Sequence, residues 1–264
     1  MLNKRILSSI ALILLAILVI FSDWLSGLVI TLLIILGLYE FFTMLEKKGI
    51  SIYKYFGIGM GAVIPLSILS RFELTKSWEL LLIVLALLFL IIMQFKRRES
   101  SGAVVGISTT IFGILYISWF LSFLIKIRFL ENGTAFLAGV VIITKLTDMG
   151  AFLVGSRFGK HPLIPRISPK KSVEGAVGGV MLSVLGAMVC KSFLPFSYLH
   201  LFILGLVLSV LAQLGDLSES LIKRDCQTKD SGSLIPGMGG VLDLVDSLIF
   251  TAPAFYFYMS IVSR

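Results

Sequence analysis

The sequence predicts an all-α fold: a polytopic integral membrane helical bundle with about nine transmembrane helices. Three observations carry that reading. Hydrophobic residues make up 57% of the 264-residue chain and charged residues only 14%, whereas a soluble domain is about one-quarter charged. Apolar runs of the roughly 17–25 residues that cross a bilayer recur along nearly the whole length. The basic residues collect in alternate connections between those runs, as topology signals do.

Taken in order, Lys4 and Arg5 precede an apolar run that begins at Ile6. A signal peptide starts this way, but no small-residue cleavage site closes the run. Ser22-Asp23-Trp24 breaks it, and a second run covers about 25–44, so the two form a hairpin that stays in the membrane. Further runs cover about 55–70, 77–94, 103–125, 135–155, 173–190, 198–215 and 243–262. One side of the membrane receives roughly sixteen basic residues and the other about six, which puts the first side in the cytoplasm and the C-terminus outside. Both long polar connections, 156–172 and 216–242, then face the cytoplasm. The membrane is expected to be a bacterial inner membrane.

The formal charge of +8 does not indicate nucleic acid, because the bases sit in short loops beside apolar runs. Topology and attraction to anionic lipid account for them. Cys190 ends an apolar run and Cys226 lies in a loop assigned to the cytoplasm, so no disulfide is expected. Glu40 and Glu79, near span ends, read as interfacial. Polarity is concentrated late in the chain. Residues 1–130 therefore read as a hydrophobic scaffold and 131–264 as a catalytic region with two cytoplasmic polar loops.

Three constellations stand out. Asp148 lies deep in the sixth run, where an acid marks a functional site by default. Lys145, three residues earlier, also permits a structural ion pair. In the following loop, Ser168-Pro169 reads as a helix start. Lys170 and Lys171 would then sit beside free helix amides, an arrangement suited to an anion; the alternative is lipid headgroup attraction or topology alone. His161 reads as an ordinary loop residue, and with His200 it makes no zinc site.

The densest constellation is 216–246. Asp216, Glu219, Ser220 and Lys223 fall on one helical face, and Asp243 and Asp246 share another. Pro236-Gly237 and Gly239-Gly240 reverse the chain between them. Buried ions are costly unless paired, solvated or metal-bound. Hard carboxylate oxygens from separate helices, without cysteine or paired histidine, suit magnesium, which shares its shell with substrate phosphates. Neither a Walker loop nor a dinucleotide fingerprint is present.

The run from Ser220 through Lys223-Arg224 and Lys229-Asp230 to Pro236-Gly237-Met238-Gly239-Gly240, Asp243 and Asp246 resembles the C-terminal signature of the phosphatidate cytidylyltransferases (CDP-diglyceride synthetases). Asp148-Met149-Gly150 and Ser168-Pro169-Lys170-Lys171-Ser172-Val173-Glu174-Gly175 resemble upstream segments of the same family. The resemblance covers most of the C-terminal half. It implies transfer of the cytidylyl group of CTP to phosphatidate with Mg2+, giving CDP-diacylglycerol and pyrophosphate in phospholipid biosynthesis.

On that basis Asp216, Lys223, Asp243 and Asp246 are the expected catalytic residues. Asp216 and Asp243 are the first metal candidates, followed by Asp246 and Asp148. Substrate binding is expected from Ser168, Lys170, Lys171, Glu174, Ser220, Arg224, Lys229, Asp230, Gly237, Gly239 and Gly240. The expected partners are CTP, phosphatidate and membrane lipid, with a homodimer as the assembly left open. Two departures matter: Met238 stands where the family usually has histidine, and Leu244 where it usually has arginine. A phosphate monoester is already nucleophilic at neutral pH, so the loss of a histidine base is tolerable. The alternatives are a related CTP-dependent lipid phosphotransferase or kinase and, from another class, a transporter lined by Asp148 and Lys145.

Overall fold

The computed structural model describes residue 14 and residues 22–72, 77–96, 101–235 and 239–262. Its helices are α1 (Asp23–Lys47), α2 (Lys54–Leu69), α3 (Trp78–Phe95), α4 (Ala103–Arg128), α5 (Gly133–Phe158), α6 (Val173–Val189), α7 (Tyr198–Asp225) and α8 (Leu242–Val262). They coincide with eight of the nine expected spans; the run from Ile6 falls outside the described residues but for Leu14. Seven helices are long and apolar enough to cross a membrane, and α2, with 16 residues, is shorter. The chain is thus a multi-pass helical membrane protein with seven to nine spans, around the expected nine.

Two compact units divide the chain, and they are interleaved in sequence. The first contains the described residues through Ile125 together with Cys226–Leu244. Residues 226–244, grouped by sequence with the C-terminal half, therefore pack with the N-terminal helices. The second unit contains Lys126–Asp225 and Val245–Arg264.

In the first unit α1 starts at a serine cap, with Ser22 Oγ accepting from Leu25 N. Ile34, Leu38, Phe41 and Phe42 form its buried face. Helix α2 contains Pro65, which has no N–H to offer the carbonyl of Gly61 four residues back. Ser118 Oγ donates to that carbonyl instead, at 2.6 Å, from a fully buried position. Ser118 lies in a π-helical stretch of α4, Ile114–Trp119. Trp119 Nε1 in the same stretch donates to Glu79 Oε2 at 2.8 Å, so Glu79 is tied to a neighbouring helix.

In the second unit small residues let helices approach closely, as membrane interfaces require. A Cβ at Gly150 would come within 2.5 Å of the Gly178 carbonyl, joining α5 to α6. Ser183 Oγ donates to the Gly205 carbonyl at 2.8 Å, joining α6 to α7. Thr144 Oγ1 and Thr251 Oγ1, 3.1 Å apart, join α5 to α8.

The loop after α5 holds the one sheet among the described residues: β1 (Pro162–Ile164) antiparallel to β2 (Ser168–Ser172). The helix start expected at Ser168-Pro169 is therefore a strand. Proline's missing N–H is tolerated in the edge strand of a two-stranded hairpin. Helix α6 begins later because Ser172 caps it, accepting from Gly175 N at 3.1 Å, and Glu174 supplies first-turn negative charge.

Candidate active site

Helix α7 runs 28 residues, roughly 42 Å at 1.5 Å per residue, so it continues one way past its apolar stretch as a single rigid rod. Asp216, Glu219, Ser220 and Lys223 ride on this extension, on one face. Gly215 lets α7 meet α8 backbone to backbone: a Cβ there would strike the Asp246 carbonyl. The close crossing brings together oxygens of Asp216, Glu219 and Asp246, all within 4.8 Å of one another. Glu219 is fully buried, Asp246 is buried and Asp216 is partly open.

Lysines border the carboxylates. Lys171, on β2, reaches Asp216 Oδ1 at 2.6 Å and donates to Ser220 Oγ at 3.2 Å. Lys223 pairs with Glu219 Oε2 at 2.5 Å, one helical turn on. Three carboxyl groups thus face two ammonium groups at the cluster. Hard oxygens from two helices at this spacing fit a hard divalent cation that keeps water or phosphate in its remaining positions. A buried acidic cluster able to hold a metal is therefore present.

A second group sits on α5 and α8. Lys145 Nζ lies 3.1 Å from Asp148 Oδ2. Ser247 Oγ donates to Asp148 Oδ2 at 2.9 Å, and Lys145 Nζ donates to Ser247 Oγ at 3.0 Å. Asp148 is thus in an ion pair stitched to the residue after Asp246.

In the first unit Asp243 Oδ2 accepts from Ser231 N at 3.1 Å, Ser231 Oγ at 2.8 Å and Gly240 N at 2.8 Å. Gly239 adopts φ +107°, a glycine conformation, and pairs with Ile235 to close the turn. Gly237 and Met238 lie outside the described residues. Lys229, Asp230 and Lys170 are exposed, and Ser168 is partly exposed. Arg224 Nε donates to the Ile167 carbonyl at 3.2 Å. Glu174 accepts from Lys160 N at 3.0 Å and His161 N at 3.2 Å and contacts His161 Nδ1 at 2.5 Å, clasping the base of the β-hairpin.

Glu219 and Glu40 are the residues that sequence reasoning left out of the site. The i, i+3 spacing from Asp216 was a signal for Glu219, but a partner at Lys223 reads equally as an ordinary helix ion pair. Glu40, expected at the interface, is buried at 3% exposure. Nothing in its own segment marks it, since its partners lie about two hundred residues away.

The profile of the cytidylyltransferase family matches residues 3–262 of this chain. A phosphatidate cytidylyltransferase of Synechocystis is 32% identical over 288 aligned positions, covering 97% of this chain and 96% of that protein. One from Staphylococcus saprophyticus is 31% identical, covering 82% and 85%. One from Bacillus subtilis is 40% identical over 152 residues, a stretch spanning only 56% of each chain.

Proposed function

The chain belongs to the cytidylyltransferase family, and from that premise we propose that it transfers the cytidylyl group of CTP to phosphatidate, releasing pyrophosphate. As a family member it is a nucleotidyltransferase of the membrane, with a nucleotide and a lipid as substrates. The observation that carries the proposal is the cluster of Asp216, Glu219 and Asp246 with Lys171 and Lys223 at its edge. Membrane enzymes that join two phosphates need such a balance: acids for a cation, and bases for the anionic oxygens that the cation leaves uncovered.

In the reaction, a phosphate oxygen of phosphatidate forms a bond to the α-phosphorus of CTP. The bond from that phosphorus to the α–β bridging oxygen breaks, and its electron pair leaves with pyrophosphate. No proton has to be removed from the attacking phosphate, so the Met238 position need not supply a base. The protein contributes positioning and charge.

Asp216, Glu219 and Asp246 would hold Mg2+, which when bound would neutralise phosphate charge. Lys171 and Lys223 exchange their carboxylate contacts for phosphate oxygens when substrate arrives. Arg224, Lys170 and Lys229 extend the positive field toward incoming CTP. Asp148, with Lys145 and Ser247, steadies the α8 backbone beside Asp246. Asp243 holds the glycine turn and is assigned that structural part ahead of direct metal binding. The site opens to the cytoplasm of a bacterial inner membrane, where CTP is found.

The test is transfer of label. Membranes containing the chain are incubated with phosphatidate, magnesium and CTP labelled at the α-phosphate. Label is expected in the lipid fraction and is lost with EDTA or with Asp216→Asn. Label entering lipid only from the γ-phosphate would instead make the protein a kinase. No transfer of either kind overturns the proposal.

A further inference from the structure

We propose that Glu40, far from the signature in sequence, is a positioning residue for the reaction: its carboxylate caps α8 and so sets the helix end that carries Asp243 and Asp246. This rests on the cytidylyl-transfer reading above. The first-turn amides of any helix need acceptors from outside it. A serine, threonine or aspartate just ahead of the helix normally provides one. Here Gly239-Gly240-Val241 precedes Leu242, and none of these side chains can accept.

The cap is imported. Val241 N donates to Glu40 Oε1 at 3.0 Å and Leu242 N to Glu40 Oε2 at 2.9 Å, so one carboxylate spans two consecutive amides. Its negative charge also faces the positive end of the α8 dipole. Ser231 Oγ lies 3.1 Å from Glu40 Oε2 and 2.8 Å from Asp243 Oδ2, tying the start of the loop to its end through one hydroxyl.

Two glycines of the loop record the carboxylate's presence. A Cβ on Gly240 would run into Ser231 Oγ and Glu40 Oε2, and one on Gly232 into Glu40 Oε1. The glycine in the signature at 240 is thus explained by an acid on α1, with no contact to substrate required. Glu40 touches no reacting atom in this assignment. It acts through α8: the cap fixes where the first turn begins, and Asp246 follows Asp243 by about one turn.

The test uses the full chain in lipid nanodiscs, comparing wild type with Glu40→Gln. Glutamine has nearly the same shape, but one of its two terminal atoms is a donor that faces the amides. Amide hydrogen exchange at Val241 and Leu242 should accelerate about tenfold or more once the bidentate cap is lost. The magnesium concentration for half-maximal activity should rise, and kcat should fall by about tenfold with KM for CTP changed less than about threefold. The melting temperature should move little, which separates positioning from a general loss of fold.

Unchanged exchange at the two amides overturns the cap. Faster exchange with unchanged kcat and magnesium dependence overturns the positioning role. If Glu40→Gln does not fold, Ser231→Ala takes its place: it removes the hydroxyl link but leaves the two amide bonds, and should give the same pattern more weakly. Normal kinetics in that variant would then overturn the proposal. A wild-type protein without transfer activity would sink the functional reading, whereas the cap itself is judged by exchange alone.

Discussion

Glu219 sits fully buried on α7 with Lys223 at 2.5 Å and the oxygens of Asp216 and Asp246 within 4.8 Å. Replacing it with glutamine removes one carboxylate from the cluster while leaving the side-chain shape. If these acids hold the cation, Glu219→Gln should raise the half-activating magnesium concentration by about tenfold or more, about 1.4 kcal/mol of binding. Manganese binding followed by spin resonance should weaken in parallel. An unchanged titration would remove Glu219 from the ligand set. Lys171→Met removes the ammonium between Asp216 and Ser220; it should raise KM for CTP or phosphatidate more than it changes the magnesium requirement. At this scale the sequence was partly readable. Helical spacing put Asp216, Glu219 and Lys223 on one face, but it could not say that α8 would cross there. Gly215 makes that crossing possible, and its signal is one missing side chain. Glu40 was less readable still, because an acid near a span end looks the same whether it meets water or two amides on a distant loop.

Helices were the easiest elements to read, since bilayer thickness fixes their length and lipid forbids polar interruptions. Hence eight described helices fall on expected spans. The β-hairpin was missed for a local reason: Ser168-Pro169 and Ser172-Val173-Glu174 are both plausible helix starts, and only the hydroxyl bond to Gly175 N decides between them. The repair at Pro65 was also hidden, because it needs a residue from another helix. Ser118 supplies the donor that proline withholds from Gly61. Ser118→Ala should therefore leave a buried carbonyl without that bond and cost about 1–3 kcal/mol. In the double variant Pro65→Ala, Ser118→Ala, the restored N–H serves Gly61 from within α2. The double variant should then be more stable than Ser118→Ala alone in reversible denaturation. If the serine change costs the same with or without Pro65, the two residues are not coupled.

On the scale of the whole molecule, the orientation in the membrane decides whether CTP can reach the site. Within the second unit, α5 has 26 residues, roughly 39 Å, enough to cross a hydrocarbon core of about 30 Å. Exposed Glu131 precedes it, and the hairpin with exposed Lys170 follows it, so the two residues mark opposite faces. The hairpin side also carries Arg157, Lys160, Arg166 and Lys171, and Lys171 is the residue that reaches Asp216. The acidic cluster therefore lies at the basic end of this unit. By the positive-inside rule we propose that this end faces the cytoplasm. Single cysteines at Glu131 and Lys170, in a chain with Cys190 and Cys226 replaced, give a direct reading. A membrane-impermeant maleimide added to right-side-out vesicles should label Glu131→Cys at once and Lys170→Cys only after permeabilisation. The reverse pattern would place the carboxylates outside, away from cellular CTP, and would overturn cytidylyl transfer as the physiological reaction even if the purified chain catalysed it.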